Sequence, residues 1–163
     1  MGIKFIQMAD PQFGMFSAFS KLTEEQKSER IESGMRLRFI DEKIENLSNE
    51  IRLFTQAIEI ANEWSPDFVV VCGDMTHDQN SVEQRAKVFS IARQLRDEID
   101  LHWVAGNHDV GKDPTRQSLE QFRKNYGNDN YSFQLDKHFF IVFKSVNFFL
   151  LESAASSSGA ESK

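Results

Sequence analysis

Apolar positions recur along the chain with two different periods. Ile3-Lys4-Phe5-Ile6-Gln7-Met8 is a short apolar run that stops at Asp10-Pro11, and it predicts a first strand, because proline ends regular pairing. The stretch from Gly14 to Leu22 reads as a loop. From about Ile31 to Trp64 the spacing turns helical, with Ile44, Leu47, Ile51, Phe54, Ile58 and Ala61 on one stripe. Its first part, Thr23 to Arg38, is more charged and interrupted by Gly34. Ser65-Pro66 closes the helix, since the residue before proline avoids the helical region.

Phe68-Val69-Val70-Val71-Cys72 is a continuous β-branched run that predicts a strand buried on both faces. Ser81-Val82-Glu83-Gln84 has the form of a capping box. The helix it opens is expected to turn Val82, Ala86, Phe89, Ala92, Leu95 and Ile99 inward. Leu101 to Ala105 predicts a third strand, and Gln117 to Tyr126 a short helix ended by Gly127. The grammar then changes. Tyr131 to Leu135 and Phe139 to Phe143, joined at Asp136-Lys137, predict an antiparallel hairpin, and Val146 to Leu151 a further strand. The order is α/β with a parallel β-α-β-α-β core and right-handed crossovers. Residues 152–163 are small and polar and are expected to be a disordered tail, leaving 1–151 as the domain.

Composition narrows the function classes. Among 163 residues there are 19 basic and 25 acidic side chains, a net charge of −6, which argues against general binding to nucleic acid or to an anionic membrane surface. The single cysteine, Cys72, excludes an internal disulfide and is expected in the core. The N-terminal residues carry no signal-peptide pattern and no apolar run is long enough to span a bilayer, so a cytoplasmic protein is expected.

In open α/β sheets ligands gather at the carboxyl ends of the strands. Here those ends carry Asp10-Pro11-Gln12, Gly73-Asp74-Met75-Thr76-His77 and Gly106-Asn107-His108-Asp109. Asp10-Pro11 and Gly73-Asp74 alone each read as a turn, whereas Gly106-Asn107-His108-Asp109 is a rarer combination. Side by side on three parallel strands they offer carboxylates, carboxamides and imidazoles at one rim, a mixture suited to Mn, Fe, Zn or Mg. His102 within its strand and His138 after the hairpin turn read as packing and solvent-exposed residues. Lys112 and Arg116 read as solvated charges within reach of an anionic substrate.

These residues carry a resemblance. The three clusters resemble the first three motifs of the calcineurin-like metallophosphoesterases. Phe5 to Gly14, with Gln12 where histidine is more usual, is similar to the calcineurin-like phosphoesterase domain-containing serine/threonine phosphatases. The likeness runs from about Ile3 to about Phe143. It implies a layered sandwich and a site holding two divalent metal ions. Asp10 and Gln12 would bind the first metal, Asp74 would bridge both, and Asn107 would bind the second. His108 would protonate the leaving oxygen or stabilise the transition state, Asp109 would orient it, and His77 would stand just behind the metals. Two such metals activate a hydroxide and clamp both oxygens of an in-line displacement. The substrate implied is a phosphorylated protein or a small phosphoester.

The family's later histidine motifs are missing from this sequence, since no histidine follows His138. The expectation is therefore a truncated sandwich with its second sheet largely absent and an impaired site. Self-association through the Phe-rich strands from Phe139 to Leu151 is expected too. The other reading is a non-catalytic phosphoesterase-like scaffold or interaction module. A receiver-like phosphate-binding domain shares the strand-helix grammar but does not account for Gly106 to Asp109.

Overall fold

The computed structural model describes residues 2–38 and 42–144. Three strands, β1 (Phe5–Ala9), β2 (Phe68–Cys72) and β3 (Asp100–Val104), form a parallel sheet in the order β1-β2-β3. A hairpin of β4 (Asn130–Leu135) and β5 (His138–Phe143) forms a second, small antiparallel sheet. The helices are α1 (Met15–Ser20), α2 (Glu24–Glu32), α3 (Ser48–Trp64), α4 (Val82–Ala92), the single turn α5 (Asn107–Val110) and α6 (Arg116–Tyr126). This is the metallophosphoesterase-like α/β core expected from the motifs. The further strand placed at Val146 to Leu151, the tail and the domain limit at 151 lie outside the described residues.

Alternation decides what covers each face of the parallel sheet. Val69, Val71 and Trp103 are buried in one cluster with Phe54, Ile58 and Ala61 of α3 and Val88, Ile91 and Ala92 of α4. The opposite face is covered in part by the hairpin, whose Phe133 and Phe140 meet Phe68 edge-on at 5.2 and 5.0 Å. Val70 and Cys72 on that face are only half-buried, so β2 is not sealed on both sides as its apolar run suggested. The hairpin's outer residues Phe139, Ile141 and Phe143 are exposed. Among the described residues no helix is long and apolar enough to cross a membrane.

Three elements depart from the sequence expectation, each for a physical reason. Residues 15–20 are helical rather than a loop, because the Glu50 carboxylate accepts from the N–H groups of Gly14 (3.0 Å) and Phe16 (3.2 Å) at the helix start. The long helix begins at Ser48, not near 31. α2 has its own capping box, Thr23 with Gln26, and the chain turns at Gly34 with φ of 90°. The inward face of α4 is Val88, Ile91, Ala92 and then Leu95, a three-four-seven spacing. Val82 is 70% exposed, and Ala86 is exposed as well.

Two stability predictions follow from buried charges. Glu50 is 2% exposed and holds α1 onto α3. Glu50→Ala leaves two backbone donors without their partner and is expected to cost about 2–3 kcal/mol in urea denaturation. Asp129 is 4% exposed and ties α6 to the hairpin. Burial works against its ionisation, but hydrogen bonds from Arg123 (2.6 and 3.2 Å) and from Lys144 outweigh it and hold its pKa down at about 2. A folded-state pKa below the unfolded one stabilises above pH 4 and is lost as pH falls from about 4 to about 2. Asp129→Asn is expected to remove about 2 kcal/mol at pH 7 and to flatten this acid limb in denaturation curves measured against pH.

Candidate functional site

Strand register brings the three motif loops together. Ala9 pairs with Cys72 and Cys72 with Val104, so the chain leaves the sheet at neighbouring points as Asp10, Gly73-Asp74 and Ala105-Gly106-Asn107. Asp10, Gln12 and Asp74 all take left-handed backbone, with φ of 48°, 36° and 50°. Only two other non-glycine residues among those described do so, Ser65 and Asp136. Such conformations are rarely populated and collect at functional sites. The first two loops are then stitched by backbone bonds, Gln12 N–H to Asp74 O (2.9 Å), Phe13 N–H to Met75 O (3.1 Å) and His77 N–H to Phe13 O (2.9 Å).

The third loop is held by Asp109. Its carboxylate accepts from the N–H groups of Gly106 (2.8 Å), Asp74 (2.7 Å) and Met75 (3.0 Å). Burial pushes its pKa up to about 6 although those three bonds favour the charged form. The orienting contact expected from Asp109 to His108 is replaced by a different one. The His108 Nδ1 lies 2.7 Å from the carbonyl oxygen of His77. A carbonyl only accepts, so this nitrogen carries the proton and Nε2 is left for other chemistry. The Asp74 Oδ1 accepts from the His108 N–H at 2.8 Å.

The carboxylates set the electrostatics. Burial raises the pKa of Asp10, the Asp74 charge raises it further, and His108 partly offsets both. A carboxylate whose proton affinity is raised by a neighbouring acidic charge is a group whose charged form a bound cation would favour. Asp10, Asp74 and Asn107 line one cavity of about 800 Å³ together with Gly106 and Lys112. Gln12 joins this group through its backbone, as described. The donors are carboxylate and carboxamide oxygens, which suit hard divalent ions better than soft ones. No cluster of three or more His, Cys, Asp or Glu able to hold a metal forms among the described residues.

His77 stacks on His108 with ring centroids 4.9 Å apart. Desolvation, then the neighbouring His108, lower its pKa. Phe19 meets His77 edge-on at 6.3 Å, and the Arg30 guanidinium sits 5.3 Å above the Phe19 ring. Sequence reasoning missed Phe19 and Arg30. Both lie between the first two motifs, with nothing in spacing or residue type to single them out.

The remaining candidates are elsewhere. His102 packs under the hairpin, stacked on Phe133 at 3.9 Å with its Nδ1 3.0 Å from the Tyr131 hydroxyl. His138 is exposed at the start of β5. Arg116 pairs with Glu120 at 2.9 Å on the surface of α6. Cys72, expected in the core, is instead half-buried and lines the same cavity as Asp10 and Asp74, and burial raises the pKa of its thiol.

The sequence profile described as calcineurin-like phosphoesterase matches residues 3–156. The chain is 32% identical over 147 residues to the serine/threonine-protein phosphatase CPPED1 of Rattus norvegicus, covering 86% of this chain and 42% of that protein. The Homo sapiens protein of the same name gives the same identity and coverage. That of Danio rerio is 32% identical over 151 residues, 89% of this chain and 44% of its own length. The chain thus spans less than half the length of these relatives.

Proposed function

The chain belongs to the calcineurin-like phosphoesterase family, and from that premise we propose that its rim is a metal-dependent site for phosphoester hydrolysis, acting on phosphoserine or phosphothreonine in proteins. The observation that carries this reading is the convergence of Asp10, Asp74 and Asn107 on one cavity, two of them in left-handed backbone. Asp10 with Gln12, the bridging Asp74, and Asn107 would hold two divalent ions. The Asp74 Oδ1 already accepts from the His108 N–H, which leaves its second oxygen for a cation. When bound, such ions supply Lewis-acid polarisation of the phosphoester and an activated water.

The protein's own groups do the rest. The His77 carbonyl fixes the His108 ring and its tautomer. Nε2, when protonated, delivers its proton to the departing oxygen, so no free alkoxide has to form. Asp109 acts one step back, as a brace that holds the second and third loops at a fixed separation. With oxygen donors alone, metal affinity and turnover are expected to be low.

Hydrolysis of an aryl phosphate tests this. Turnover is expected only with added Mn, to stop with a chelator and to return with excess metal. His108→Ala is expected to lower it about 100-fold. Activity that ignores both metal and His108→Ala overturns the reading. A folded protein that takes up no metal at all supports the scaffold instead.

A further inference from the structure

One cation near the rim has no role in the chemistry described above. Arg30 closes the last turn of α2, and its guanidinium lies over Phe19, whose edge meets His77, which stacks on His108. Three ring contacts, none longer than 6.3 Å, thus lead from Arg30 to the group placed at the scissile bond. Among the described residues the guanidinium forms no ion pair and no side-chain hydrogen bond.

Neighbouring charges give this placement its meaning. The charges felt at His77 are those of His108, Asp78, Arg30 and Asp74, and Arg30 is the permanent cation among them. The chain is acidic overall, with a net charge of −6. Neither α1 nor α2 has a fully buried residue: α1 is half-buried throughout, and α2 is mostly exposed, with Arg30 half-buried. This arm is attached to the body at Glu50 and through Ser20, whose Oγ accepts from the Ile44 N–H at 2.9 Å. A guanidinium stacked on a ring loses little freedom when it then grips a carboxylate through its fork of N–H donors.

We propose that Arg30 is a specificity-determining residue that reads an acidic side chain flanking the phosphorylated residue of a peptide substrate. The proposal rests on the function argued above and names its substrate class more closely. An extended peptide rises about 3.3 Å per residue, so a carboxylate three to five positions from the phosphoresidue falls within the span that the three ring contacts can cover end to end. The aromatic ladder links Arg30 to the site, and His108 would contact the phosphoester.

Fluorescence anisotropy with labelled peptides tests it. Each peptide carries the non-cleavable phosphonate analogue of phosphoserine, with Glu, Gln or Lys three positions away on either side, and Mn is present throughout. The wild type is expected to bind one of the Glu peptides about fivefold more tightly than its Gln counterpart. Arg30→Ala is expected to erase that difference while leaving the Gln peptide bound as before, and Arg30→Glu to favour the Lys peptide. Phosphonate-dependent binding without a Glu preference, or a preference that survives both substitutions, overturns the assignment of Arg30 alone. Binding no tighter than that of the unmodified peptide overturns the parent reading, and the assignment of Arg30 with it. Circular dichroism of both variants checks that α2 stays folded.

Discussion

Gly106→Ala is expected to destabilise the protein by about 3 kcal/mol or more and to abolish metal and substrate binding together. A methyl group on this residue would lie 2.1 Å from the Asp74 Oδ1 and 2.5 Å from the Asp74 backbone nitrogen. The carboxylate oxygen is held by the His108 N–H and the nitrogen by Asp109, so neither yields cheaply. The second loop has no slack on the other side. Gly73 has φ of 79°, and a Cβ there would meet the Gly106 Cα at 2.9 Å. The two glycines let the second and third loops touch backbone to backbone, which is how Asp74 and Asn107 come to line one cavity. In a domain of this size the loss corresponds to a fall in Tm of roughly 10 °C. A Gly106→Ala protein that melts with the wild type and still binds Mn would show that the close approach is not needed.

The parts of the fold written locally were legible in the sequence. A β-branched run gives β2 its place, and Ser81 marks a helix whose side-chain cap is formed. The site was legible because its residues follow strand ends directly, and a parallel register then aligns them. What was not legible depends on partners far away in the chain. α1 exists because Glu50, more than thirty residues on, caps it. The α4 stripe departs from expectation only at its start, where Val82 and Ala86 are apolar yet exposed, while Phe89, Ala92, Leu95 and Ile99 pack inward. The resemblance implies that Asp109 orients His108, and no hydrogen bond between the two side chains is formed. In a single helical turn adjacent side chains diverge, and the carboxylate reaches back to Gly106, Asp74 and Met75 while His108 finds a carbonyl oxygen.

Asp74→Asn carries the other large effect. Asp74 is the residue proposed to bridge the two metal ions, and its charge raises the proton affinity of Asp10. The substitution keeps the shape and the hydrogen bond from the His108 N–H but removes the charge. Folding is therefore expected to change little, with a Tm near that of the wild type or above it, because the repulsion between Asp10 and Asp74 is gone. Hydrolysis is expected to vanish. This separates the variant from Gly106→Ala, in which site and stability fail together.

The most direct test is a titration of the folded chain with Mn, following the free ion by electron paramagnetic resonance. The wild type should remove Mn from solution saturably, and Asp74→Asn should weaken that uptake by about 100-fold or more, beyond what loss of an outer contact costs. Identical titration curves for the two proteins, or no saturable uptake by the wild type, would contradict a metal centre at the ends of β1, β2 and β3.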